Sequence, residues 1–209
     1  MVTTSTRNNL IGIACLCAGS FVFSLQDSAI KAISGANAVT LAIVFRACIS
    51  MPLLLGMAWW EGGLSALKDR QWPLLVLRGV FLLISYTSYF MAFPALPLAE
   101  AVALYFMVPL VVTVLAGPML HEHVGWKSWA AVAIGLAGVM IILQPGTALF
   151  NPAALLSLVS ACAYATGQLL ARKFGAASQV SVMVFYQNWV YLLGAALIAA
   201  VVAALGLKP

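Results

Sequence analysis

The chain has 209 residues, 64% hydrophobic and 7% charged, with a net charge of +5. Soluble domains carry roughly 25% charged residues, so ten basic and five acidic side chains are too few to solvate a water-soluble fold of this length. The positive charge forms no basic run or arginine-rich helix. That excludes a nucleic-acid partner and points to membrane loops, where Lys and Arg mark the cytoplasmic side.

Apolar runs recur in chain order. The residues between Arg7 and Asp27, Arg78 and Glu100, and Glu100 and Glu122 are uncharged. Between Lys127 and Arg172, 44 residues pass without a charge, divided by Gln144-Pro145-Gly146 and Asn151-Pro152. About 20 apolar residues span a bilayer core, so that run holds two membrane helices and a turn. The pattern predicts helices near 9–29, 38–60, 72–93, 99–120, 128–144, 152–171 and 179–205. Such runs are too long for barrel strands, and an all-α bundle of about seven transmembrane helices follows. The short loops imply that sequential helices are mostly antiparallel neighbours.

With the N-terminus cytoplasmic, the inner segments hold Arg7, Lys68, Arg70, Lys127, Arg172 and Lys173, and the outer ones Lys31 and Lys208. This positive-inside bias fixes the expected orientation. Residues 1–32 also admit a signal-peptide reading, but Ala29-Ile30-Lys31-Ala32 is a poor cleavage site. Cys15, Cys17, Cys48 and Cys162 fall inside spans and read as small packing residues. Trp59, Trp60, Trp72, Trp126 and Trp129 fall near span ends, as interfacial anchors do.

Shifted against itself by 142 residues, the chain places its first span on its sixth. Ser24-Leu25-Gln26 then meets Thr166-Gly167-Gln168, and Lys31 meets Lys173. Five spans precede the second copy, an odd number, so it enters the membrane from the opposite side. Inverted repeats of this kind occur in secondary transporters, whose substrate sites lie between the repeats near the midplane. The expected organisation is a first five-helix repeat over residues 1–146 and two helices of a second over 147–209. On this reading the last two helices are loosely held. A homodimer or a further C-terminal segment would complete the fold.

The order of motifs resembles the EamA-type, ten-helix members of the drug/metabolite transporter superfamily. The stretch from Tyr89 to Ala101, with Phe93-Pro94-Ala95-Leu96-Pro97 at its middle, is similar to the family's third and fourth helices. Val108-Pro109-Leu110, the acidic Glu122, and Gly135, Gly138 and Pro145-Gly146 follow in the family's order. Gln26-Asp27 with Lys31, Arg46, and Phe185-Tyr186-Gln187-Asn188 look like the branch containing S-adenosylmethionine and riboflavin carriers. The resemblance implies a non-enzymatic, multi-pass carrier in the cell inner membrane. Its partners would be the lipid bilayer and a small metabolite or drug.

Polar residues within spans are the candidate substrate pathway. Arg46 lies about 12 Å along the second helix, and Asp27 has a similar depth on its neighbour. An unpaired charge there is costly, so the two are expected to pair. They could serve a charged cavity or only a structural ion pair, with Lys31, four residues after Asp27, snorkelling outward. Arg78 could likewise reach the cytoplasmic interface. Glu100 opens the fourth helix, where it either complements the helix dipole or meets substrate. Pro109 should kink that helix and expose the carbonyl of Tyr105 to the pathway. Gln168 joins through the repeat and Gln187 through the resemblance.

No metal or other cofactor is expected: His121-Glu122-His123 lacks the spacing of a zinc helix. No phosphate-binding loop supports ATP-driven transport. A passive channel or scaffold is the alternative, although no ring of like charge or carbonyl filter is evident. An intramembrane enzyme would need a partner for the two histidines, and none is visible.

Overall fold

The computed structural model describes residues 4–32, 36–62, 70–121, 123–143, 151–174 and 179–204. These residues form α1 (Thr4–Ala32), α2 (Ala36–Gly62), α3 (Trp72–Ala92), α4 (Leu98–Tyr105), α5 (Val108–Leu120), α6 (Trp126–Leu143), α7 (Ala154–Phe174) and α8 (Val180–Ala204). Among them, five stretches are long and apolar enough to cross a membrane: Ile11–Ala32, Trp72–Ala92, Leu98–Leu120, Ala154–Lys173 and Val180–Leu197. The shorter apolar segments Arg46–Met57 and Trp126–Ile142 bring the set to the seven expected spans. The protein is a multi-pass membrane helix bundle.

Proline and capping chemistry set several boundaries. Pro73 occupies the first turn of α3, where a missing N–H breaks no helical bond. At the other end of α3, Pro94 and Pro97 prevent continuation and leave a turn rich in free carbonyls. Other elements satisfy them. Lys31 Nζ donates to the Phe93 carbonyl and, at 2.8 Å, to that of Leu96. Asn151 Nδ2 donates to the Ala95 carbonyl at 2.7 Å while its Oδ1 accepts the Ala153 N–H at 2.9 Å. One asparagine thus caps the start of α7 and pins the α3–α4 turn. Lys31 does not snorkel outward, as the ion-pair alternative had it, because backbone carbonyls lie within its reach.

The fourth span breaks where a kink was expected. Pro109 has no N–H for the Tyr105 carbonyl and its ring crowds that oxygen. The helix stops at Tyr105, turns through Phe106 and Met107, and restarts at Val108. The Met107 N–H instead bonds Leu104 O at 3.1 Å, a tighter turn than the α-helical one. His121 ends α5 in the left-handed conformation, with φ of 56°.

The strongest packing is between helices distant in sequence. α3 lies against α7 and α8, α8 also covers α2, and α7 meets α4 and α5. Sequential pairs such as α1 with α2 and α2 with α3 touch far less. Short loops keep neighbours close, but side-chain size decides which surfaces interlock. Ser157, Ser160, Ala161 and Ala165 of α7 are wholly buried, and Ser85 and Ser160 hydroxyls meet at 3.0 Å across the α3–α7 seam. A Cβ at Gly79 would lie 2.8 Å from Val190 of α8. Small residues allow this approach where water supplies no driving force between helices. α7 and α8 are therefore central to the bundle, not the loosely held pair expected. Cys15, Cys17, Cys48 and Cys162 are free and exposed, so they do not pack as expected either. The five tryptophans near span ends are exposed.

Candidate functional site: a polar and aromatic cavity within the bundle

Where α3 meets α1, α2, α4, α7 and α8, the helices line a partly open cavity of about 490 Å³. Its position follows from the buried face of α3, on which Leu82, Ser85 and Tyr89 recur at helical spacing. Six of the sequence-selected residues line this space: Asp27, Arg46, Arg78, Tyr105, Gln168 and Gln187. Two do not. Glu100 lies in the first turn of α4 and Pro109 in that of α5, where it sets the break that leaves Tyr105 at the helix end.

The charged residues are arranged differently from the expected pair. Asp27 and Arg46 share the cavity, but among the described residues neither forms an ion pair with the other. Asp27 Oδ2 accepts a hydrogen bond from the Tyr89 hydroxyl at 3.2 Å. The Arg46 guanidinium carbon sits 4.8 Å from the Tyr86 ring centre and 5.7 Å from that of Phe23. These are cation–π distances. Among the described residues, Arg46 Nη1 is buried without a hydrogen-bond partner. Arg78 does not extend to the interface: its Nη1 donates to Gln187 Oε1 at 3.3 Å, leaving Nε buried and unpartnered.

Tyrosines join these polar groups. Ring centres are 4.9 Å apart for Tyr89 and Tyr105, 5.5 Å for Tyr105 and Tyr164, and 5.8 Å for Tyr86 and Tyr191. Gln26 Nε2 donates to the Tyr86 hydroxyl, Gln168 Nε2 to that of Tyr164 at 2.7 Å, and Gln187 Nε2 to that of Tyr191 at 3.1 Å. Sequence reasoning did not select Tyr86, Tyr89, Tyr164, Tyr191 or Gln26 for the site. A signal existed. Tyr164 with Gln168 and Gln187 with Tyr191 are polar pairs four residues apart inside uncharged spans, and so share a helix face. Tyrosine in membrane helices is ordinarily enriched at the interfaces.

Among the described residues, no three His, Cys, Asp or Glu side chains converge as a metal site would require. The cavity instead offers hydroxyls, amides, two guanidiniums and one carboxylate on a mostly apolar wall. It can bind a small organic solute and orient it through a few polar contacts.

The fold and the site together define a multi-pass membrane helix bundle around a solute-sized polar cavity. Residues 10–144 match the EamA-like transporter family, and the chain belongs to that family. It is 30% identical over 142 residues to the S-adenosylmethionine uptake transporter of Rickettsia prowazekii, covering 68% of this chain and 48% of the relative. It is 32% identical over 154 residues to the riboflavin transporter of Vibrio cholerae, covering 73% and 51%. A pseudopaline exporter of Pseudomonas aeruginosa is 26% identical over 176 residues, covering 84% and 61%. The chain thus spans about half the length of the first two relatives and three-fifths of the third. No solved structure matches it significantly.

Proposed function

We propose that the chain serves as a secondary carrier of a small organic metabolite, with its substrate pathway running through the α3-centred cavity. The observation that carries this reading is the convergence of Asp27, Arg46, Arg78, Gln168 and Gln187 with a tyrosine wall on one space of about 490 Å³ inside a membrane bundle. Intramembrane charges are costly and rare, and those facing an interior cavity mark a substrate path by default. The volume lies within the range of small-molecule sites. The relatives named for S-adenosylmethionine, riboflavin and pseudopaline support the solute class. Their names include both uptake and export, so they favour neither direction.

Alternating access is the proposed mechanism, with residues 1–146 as one repeat and residues 147–209 belonging to its inverted counterpart. Gln26 and Gln168, equivalent under the 142-residue shift, both reach the cavity wall, which supports that relationship. The break at Phe106–Met107 provides a point at which the fourth span could bend between inward- and outward-facing forms. The positive-inside bias supports a cytoplasmic N-terminus in an inner membrane.

A form carrying both repeats, reconstituted in liposomes, is expected to show saturable flux of at least one metabolite from a broad panel. Tyr105→Ala should reduce that flux while leaving the protein folded. Absence of saturable flux across the panel, with no ligand-induced rise in thermal stability, would sink the carrier reading.

A further inference from the structure

The cavity's charges do not balance. Its lining holds two guanidiniums, Arg46 and Arg78, against one carboxylate, Asp27. Asp27 already accepts from Tyr89, and Arg78 donates to the neutral Gln187. Each guanidinium keeps one buried nitrogen without a partner among the described residues: in Arg78 it is Nε at the stem, in Arg46 the terminal Nη1. Tyr86 and Phe23 engage Arg46 through their π-faces, which steadies the cation, and the Tyr86 hydroxyl also meets the guanidinium. A buried, unsatisfied charged donor is expensive, and the acceptor that best suits a guanidinium fork is a planar, bidentate oxyanion.

Beyond Arg46 the wall is aromatic, with Tyr86, Tyr105, Tyr164 and Tyr191 all reaching the cavity. Such a surface suits a flat, apolar body, because aromatic rings prefer offset or edge contacts with one another. We infer that the cavity selects a small aromatic carboxylate, its carboxylate received by Arg46 and its ring held among the tyrosines. This rests on the carrier reading above and adds a substrate class to it.

Three matched probes test the inference on the purified full chain: 2-naphthoate, 2-naphthamide and 2-naphthyl phosphate. They share one ring system and differ in the group offered to Arg46. The protein should bind naphthoate about tenfold or more tightly than the amide, as a charge-assisted hydrogen bond predicts. Arg46→Gln should abolish that preference, and a thermal midpoint close to the parent's shows that the variant folds. Arg46→Lys should restore part of the preference, since it keeps the charge but loses the fork.

Equal binding of acid and amide by the unmodified protein overturns the inference and leaves the carrier reading standing. A preference that survives Arg46→Gln but disappears in Arg78→Gln also overturns it, by moving the anion to the other guanidinium. Tighter binding of the naphthyl phosphate than of naphthoate replaces carboxylate with phosphoryl and overturns the class assigned. If none of the three probes binds, the aromatic carboxylate assignment falls. Saturable flux of other solutes then decides whether the carrier reading falls with it.

Discussion

α1 and α7 are equivalent under the 142-residue shift and have the same mean hydropathy across their spans, 1.5, yet they are held in opposite ways. In α7, 44% of the span is buried, against 6% in α1. The buried face of α7 carries Ser157, Ser160, Ala161 and Ala165, so α3 can approach it closely. α1 carries Ile11, Ile13, Leu16, Phe21 and Val22 around its circumference, all exposed. Its hydrogen bonds to α3 and the turn after it are gathered near one end, beside the buried Ile30: Gln26 to Tyr86, Asp27 to Tyr89, and Lys31 to the Phe93 and Leu96 carbonyls. Apolarity locates a span, whereas residue size and polar contacts decide whether it packs or is tethered.

The sharpest way to break this contrast is to add the same side chain to both helices. A Cβ at Gly167 in α7 would already lie 3.0 Å from Leu82, whereas at Gly19 in α1 it would meet nothing within 4 Å. Gly167→Leu should therefore cost about 3 kcal/mol or prevent folding, as overpacking does. Gly19→Leu should stay within about 0.5 kcal/mol of the parent, as open surface positions usually do. Thermal midpoints in one detergent compare them directly. Similar shifts for the two variants would remove the distinction between a packed and a tethered helix.

Cutting the α1 tether comes next in size. Lys31→Met removes the ammonium from the Phe93 and Leu96 carbonyls and should cost about 2 kcal/mol, in the range for hydrogen bonds to a charged group. Amide exchange should accelerate in α1 and through residues 93–97 while α7 remains protected. Faster exchange spread equally over α7 would show that the contact supports the whole bundle.

Tyr89→Phe removes the donor to Asp27 and should cost about 1 kcal/mol. Combined with Asp27→Asn, its effect should be less than additive, because both changes act on one hydrogen bond. Placing arginine at position 27 and aspartate at position 46 should restore neither stability nor flux. The native residues rely on separate partners, so a pair-restoring exchange supplies nothing they use. Full recovery in the exchanged protein would revive a direct ion pair.

The smallest effect is expected at Ser24. Its hydroxyl donates to the Ser20 carbonyl at 3.0 Å within α1 itself and, among the described residues, bonds no other helix. Ser24→Ala should change stability by less than about 0.5 kcal/mol. A larger loss in the thermal midpoint would mean that α1 is held by more than the contacts between Gln26 and Lys31.

Several features were legible in the sequence because they depend on local chemistry and length. Uncharged runs of bilayer-spanning length located the seven spans. Pro109 marked an interruption in the fourth because it lacks the N–H that the Tyr105 carbonyl would otherwise receive. The rarity of charge inside a span singled out Asp27, Arg46 and Arg78 without any knowledge of their neighbours. Only the tertiary structure decided what those residues meet. It set Arg46 against Tyr86 and Phe23 instead of Asp27, directed Lys31 to the turn after α3, and gathered Tyr89, Tyr105, Tyr164 and Tyr191 around one cavity. Those residues come from helices distant in sequence, whose association depends on surface shape. Hydropathy along a single chain carries no record of that match.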